Sequence, residues 1–173
     1  MEKETPEFSY KIDVSRIPVS GMKLALCADE KQCSALAERF GLRAVPELRA
    51  EVVLTRINKK RIRMKAAFDA RVVQECVVTL EPFEQQVHDD FVIVFSSEEE
   101  SSVRKNEVDL DMGEEDDIEF LESEKIDVGE LISEYFSLAL DPFPHAPGAV
   151  FQSETDDKDE KNAFSVLENL KFK

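Results

Sequence analysis

Between residues 8 and 15, apolar and polar side chains alternate. Phe8, Tyr10, Ile12 and Val14 fall on one side, and Ser9, Lys11, Asp13 and Ser15 on the other. A period of two predicts a half-buried strand. Pro18 and Gly21 interrupt it, and Met22 to Leu26 can form a second short strand. The period then changes. Cys33, Leu36, Ala37 and Phe40 recur at helical spacing, which predicts a helix over Asp29 to Phe40 with one apolar stripe. Asp29 is a fitting N-cap, Gln32 stands at the capping-box position, and Gly41 suits the left-handed residue that closes a helix.

From Leu48 to Phe95 the signal is β. Leu48 to Ile57 is rich in Val and Leu, Asn58-Lys59-Lys60 is a turn, and Arg61 to Leu80 alternates Ile62, Met64 and Ala66 with Arg61, Arg63 and Lys65. Glu81-Pro82 breaks that run, and Gln85 to Phe95 completes a meander of antiparallel strands. Residues 96–124 are dominated by Ser, Glu and Asp and predict a long loop, with Ile118, Phe120 and Leu121 available to dock locally or end a strand. A second helix starts at Asp127, where Asp127 and Glu130 form a capping box between the staple residues Ile126 and Leu131. Asp141-Pro142 and Pro144 stop it. The fold expected is α+β: an antiparallel sheet or partly closed barrel with two packed helices and a long acidic loop. Residues 1–150 form one domain with the insert 96–124, and 151–173 are an acidic linker and a short amphipathic tail.

Charge changes this picture. The 173 residues carry a net charge of −16, unevenly spread. Residues 1–75 hold 15 Lys and Arg against 11 Asp and Glu, whereas residues 76–173 hold 7 against 27. Within the basic half, Arg56, Lys59, Lys60, Arg61, Arg63 and Lys65 cluster without an acid. Such a hairpin could track a phosphate backbone; the bland alternative is a solvated outer sheet face, or one paired with the chain's own acids. No aromatic residue in the stretch offers a stacking platform for bases. The insert Glu98 to Glu124 holds 13 acids against two cations, which suits it either to solubilise the chain or to hold a basic protein or the chain's own hairpin. In the tail, Phe164, Leu167 and Leu170 are spaced to anchor on the body or on a partner.

Catalytic and metal signals are weak. Cys27, Cys33 and Cys76 form no disulfide framework and lack the spacing of a zinc knuckle, so buried or partly buried thiols are expected. His88 and His145 are isolated, and the five glycines are scattered with no phosphate loop. The acids of the insert lack the spacing of a calcium loop. No catalytic residue, metal or cofactor is assigned. An acid-rich nuclease has no supporting constellation. The amino-terminal residues do not resemble a secretory signal and no apolar run spans a membrane, so a cytoplasmic location is expected.

Several segments then fall into a familiar order. They are Glu75-Cys76-Val77-Val78-Thr79-Leu80-Glu81-Pro82-Phe83, Phe91-Val92-Ile93-Val94-Phe95, an acidic insert, and Ile126-Asp127-Val128-Gly129-Glu130-Leu131. After these come Leu138-Ala139-Leu140-Asp141-Pro142-Phe143-Pro144 and Asn162-Ala163-Phe164-Ser165-Val166-Leu167. The order resembles the YceD family, bacterial proteins linked to accumulation of large-subunit ribosomal RNA. The resemblance implies a non-catalytic factor supporting the large ribosomal subunit, with large-subunit RNA, a pre-ribosomal particle or a basic ribosomal protein as partner and no membrane contact. The alternative within the same setting is an acidic holder of a basic ribosomal protein. Many members carry Cys-x-x-Cys where this chain has Cys76-Val77-Val78-Thr79, so a metal or thiol-pair role does not carry over.

Overall fold

The computed structural model describes residues 6–97, 117–121 and 123–151. In chain order the elements are β1 (Lys11–Asp13), a short 3-10 turn (Val14–Arg16), β2 (Met22–Cys27), α1 (Glu30–Arg39), β3 (Ala44–Arg56), β4 (Arg61–Glu75), β5 (Pro82–Ser96), β6 (Asp117–Phe120), β7 (Lys125–Asp127) and α2 (Val128–Ala139). Strands β2 to β6 make one five-stranded sheet in sequence order, and β1 pairs with β7 in a separate two-stranded ribbon.

The meander expected between residues 48 and 95 is present, but its strands are longer. Strands β4 and β5 pair without interruption from Arg61↔Ser96 to Glu75↔Pro82. Strand β3 starts at Ala44, and its register against β4 shifts by one residue between Ala44 and Glu47. Pro46 lies at this bulge, where a residue without an N–H costs no ladder bond. The sheet is open, not a barrel, with β2 and β6 at its edges. It is also not wholly antiparallel, because β6 pairs parallel with the end of β5, Ile93↔Asp117 to Ser96↔Phe120. Part of the stretch expected as loop is therefore an edge strand, built from the local apolar residues of an otherwise acidic segment. Residues 98–116 and 122 lie outside the described residues.

The strand expected over 8–15 shortens to Lys11–Asp13. Two side-chain carboxylates take over its ends. Asp127 accepts from the Tyr10 N–H at 2.8 Å and from Ser9 Oγ at 2.6 Å, while Asp13 accepts from the Ser15 N–H at 2.9 Å and turns the chain into the 3-10 segment. Helix α1 has the expected capping box, with reciprocal Asp29 and Gln32 bonds of 2.9 Å, and it ends at Gly41 with φ +65. Asp127 likewise caps α2, accepting from the Glu130 N–H at 3.3 Å.

Both helices cover one face of the sheet. Leu36 from α1 and Ile132 and Phe136 from α2 join Leu48, Val52, Leu54, Met64, Phe68 and Val72 in a single fully buried cluster. Phe136 sits edge-on to Phe40 at 5.7 Å and to Phe68 at 6.1 Å, and Tyr135 stacks on Phe91 at 3.7 Å. At the other face the sheet turns outward with charged rows. Arg71 bridges Glu47 at 3.3 Å and Glu84 at 3.8 Å, and His88 meets Asp69 at 2.9 Å. Cys33 is buried, but Cys27 is exposed, because it falls at an outward position of β2.

Candidate nucleic-acid interface

The cations singled out by the sequence occupy the β3–β4 hairpin, but they do not form one exposed row. Its tip is set by Asn58, whose side-chain oxygen accepts from the Lys60 and Arg61 N–H groups at 2.8 Å each. That turn leaves Lys59 and Lys60 exposed at the apex. Arg56 points inward: its Nε donates to the Ile17 carbonyl at 2.9 Å and its Nη2 to the Val14 carbonyl, tying the hairpin to the segment after β1. Arg61 is only 7% exposed and Arg63 is half-buried, and neither of them, nor Lys60, is without a partner. Lys65 is exposed on the outer face.

Cross-strand register adds what spacing along one strand does not reveal. Val53 of β3 faces Lys23 of β2 on one side and Lys65 of β4 on the other. Adjacent strands lie about 4.8 Å apart, so Lys23 and Lys65 share an outward row roughly 10 Å apart. Both are exposed. The next outward rows toward the hairpin tip hold Arg63 and then Arg61. In the opposite direction the face becomes acidic at once, with Glu51 and Asp90 flanking Ala67. The basic surface is thus confined to the tip end of the sheet. Lys23 escapes a reading of sequence clusters because it lies more than thirty residues before Arg56 and joins the group only through β2–β3 pairing.

An aromatic residue also approaches this corner. Phe120 of β6 stands opposite Ser96, which stands opposite Arg61, and it is 47% exposed. Its signal in the sequence was an apolar group inside an acidic run, with nothing to say that it would pair beside the basic hairpin. The anchoring residues Phe164, Leu167 and Leu170 lie outside the described residues.

The turn after β4 tests the thiol pair that the family resemblance suggests. Cys76 is completely covered. Its sulfur accepts from the Thr79 N–H at 3.5 Å, and Thr79 occupies the position of the second cysteine. The Val77 N–H donates to the Pro144 carbonyl at 2.9 Å, so the loop after α2 packs over the turn. Hydrogen bonds from the Thr79 side chain and the Ala146 backbone outweigh the opposing effect of burial and hold the Cys76 thiol down at about 6. The donors around this sulfur are therefore a hydroxyl and amides, which do not make a zinc ligand set. Among the described residues, no three His, Cys, Asp or Glu side chains converge as a metal-binding group. His145 lies nearby in sequence, but its Nδ1 is 2.6 Å from the Phe143 carbonyl.

No helix among the described residues is long and apolar enough to cross a membrane. No curated protein and no solved structure matches the chain. Among protein families, residues 64–171 match the model described as "Large ribosomal RNA subunit accumulation protein YceD". That stretch holds most of β4, then β5, β6, β7, α2 and nearly all of the tail, well over half of the sequence, and the chain belongs to the YceD family.

Proposed function

We propose that this protein is a non-catalytic, cytoplasmic factor that supports accumulation of large-subunit ribosomal RNA by contacting RNA of the assembling particle directly. The family supplies the ribosomal setting. The observation that supports direct contact is the basic end of the outer sheet face, where Lys23, Lys59 and Lys65 are exposed beside Lys60. Amines on a twisted, two-stranded tip suit phosphates and not base edges, so the contact is governed by shape and backbone charge. Arg56 has a structural part in this reading: it holds the hairpin to the body through the Ile17 and Val14 carbonyls.

A second reading, an acidic holder of a basic ribosomal protein, draws on the net charge of −16. Recovery of the tagged protein from cells at low salt, with sequencing of bound RNA and identification of bound proteins, separates the two. Large-subunit RNA enriched with the wild-type chain and lost with the triple substitution Lys23→Ala, Lys59→Ala, Lys65→Ala supports direct contact. A single basic ribosomal protein recovered without RNA supports the holder. For the purified protein, each lysine removed from the interface lowers the salt slope of RNA binding by about one and weakens all sequences alike.

A further inference from the structure

A groove of about 480 Å³ runs between β6, β7 and the first turns of α2. Its floor includes Phe95, Leu121, Ile126 and Leu131, and its rim carries Glu119, Asp127, Glu130 and Glu134 against one cation, Lys125. Asp127 is engaged with Ser9 and Tyr10, and Glu130 with Arg39. Glu134 has its carboxyl pushed up by burial and by the like charges of Glu130 and Glu119, with Arg39 pulling the other way. An apolar floor under a rim where acids outnumber cations, and where Glu130 and Glu119 crowd Glu134, fits an amphipathic segment that brings cations with it.

The chain itself contains one. Beyond the last described residue, Phe151, the sequence runs to Phe164, Leu167 and Leu170, followed by Lys171 and Lys173. Residues 161–173 hold three lysines against Glu168 alone. In a helix, Phe164, Leu167 and Leu170 would share one face, with Lys171 continuing it. The reach also fits. The loop after α2 is held at the β4–β5 end of the sheet, where Gln74 Nε2 donates to the Asp141 carbonyl at 3.1 Å, while the groove lies at the other end of α2. The 12 residues of α2 span about 18 Å. A random coil of the length of residues 152–164, thirteen residues, would have a root-mean-square span of roughly 20 Å. A linker matched to its span gives the highest effective concentration.

We propose that residues 164–170 of the same chain dock in this groove, with Phe164, Leu167 and Leu170 on its apolar floor and Lys171 and Lys173 at the acidic rim near Glu134. This docking is independent of RNA contact at the hairpin, so either can fail without the other. Amide hydrogen exchange on the full chain tests it. Amides 166–170 exchange at least about tenfold more slowly than those of 156–161 after correction for intrinsic rates, because a docked segment opens only by local release. Glu134→Lys, at an exposed helix position, removes most of that protection, and so does the pair Lys171→Glu, Lys173→Glu. Combining all three restores it, since the charges are exchanged and not lost. Protection in the unaltered chain stays constant over an approximately 50-fold range of protein concentration, as an intramolecular contact requires. Unprotected amides overturn the proposal. So does protection indifferent to the charge reversals, or protection that grows with concentration and so belongs to a second copy. If the variants do not fold, a benzoylphenylalanine in place of Leu167 in the otherwise unaltered chain decides the matter. Photocrosslinks to residues 119–134 support the docking, and crosslinks confined elsewhere overturn it.

Discussion

Gly129 is the second residue of α2, and helix propensity alone says that alanine should replace it to advantage, by up to about 1 kcal/mol. The packing says the opposite. A Cβ at Gly129 would lie 2.6 Å from the Phe8 carbonyl oxygen and 2.8 Å from the Tyr10 nitrogen, both backbone atoms of the amino-terminal segment. An ordinary carbon–oxygen approach is about 3.3 Å or more, so the methyl intrudes by roughly 0.7 Å. Neither neighbour can rotate away. Relief requires the segment to move off α2, straining the 3.0 Å Val128 N–H bond to the Tyr10 carbonyl and the Asp127 bonds to Tyr10 and Ser9, and loosening the buried Phe8 and Ile12. Overpacking of this kind costs about 1–3 kcal/mol. After the full propensity gain, Gly129→Ala should still destabilise by up to roughly 2 kcal/mol, and a chain of this size then melts up to about 8 °C lower. Thermal and urea denaturation measure the change, and amide exchange at Tyr10 and Val128 locates it. A variant at least as stable as wild type, with both amides equally protected, would refute the close approach.

Cys76 makes stability depend on pH. Its folded value of about 6 lies below the ordinary thiol value of 9.0, so its contribution is fully present above pH 9 and is lost as the pH falls through about 6. Urea midpoints should therefore rise between pH 6 and 9 in wild type, and Cys76→Ala should flatten that rise; an unchanged slope means that the thiolate is not held. Elemental analysis of the purified protein should find no stoichiometric zinc, since Thr79 and amides surround the sulfur; one tightly held zinc per chain would contradict this. Leu80 is exposed and left-handed with φ +59, so Leu80→Gly should relieve about 1–2 kcal/mol of strain, lose about 0.5–1 kcal/mol to chain entropy, and raise the urea midpoint slightly. Asp127→Ala should cost about 2 kcal/mol, one helix cap and the two hooks on Ser9 and Tyr10 together, whereas Asp29→Ala, a cap alone, should cost about 1.

The elements legible in the sequence are those whose signals are local. The capping box of α1, the Asp127 cap of α2, the Asn58 turn and the alternation of β4 each involve neighbours a few residues apart, and each is found where the pattern puts it, although at α2 the Glu130 carboxylate pairs with Arg39 instead of closing the box expected there. Strand β1 was overextended because alternation does not disclose that Asp127, far downstream, captures Ser9 and Tyr10 by side-chain bonds in place of a ladder. For β6 the apolar residues Ile118 and Phe120 allowed a strand end, but its partner and parallel direction were not legible, since they come only from the edge of β5. In the basic cluster, residue type was visible but direction was not. Arg56 lies at an inward strand end beside two carbonyls, and Lys23 joins from another strand.

The pairing of β1 with β7 sets an order of events during synthesis. Tyr10 and its partner Asp127 are separated by 117 positions, so at 5–20 residues per second Tyr10 waits about 6–23 s before that carboxylate is even polymerised. In the same interval β2, β3, β4 and β5 can fold against one another, β3 to β5 through two hairpins with short loops and β2 through the connection that carries α1. The growing chain thus carries a nearly finished sheet while Phe8, against Gly129, and Ile12, against Ile126, still lack the surface that will bury them. The amino terminus closes last, as a clasp thrown over the start of α2, and its apolar residues are the part of the nascent protein most in need of protection from wrong partners.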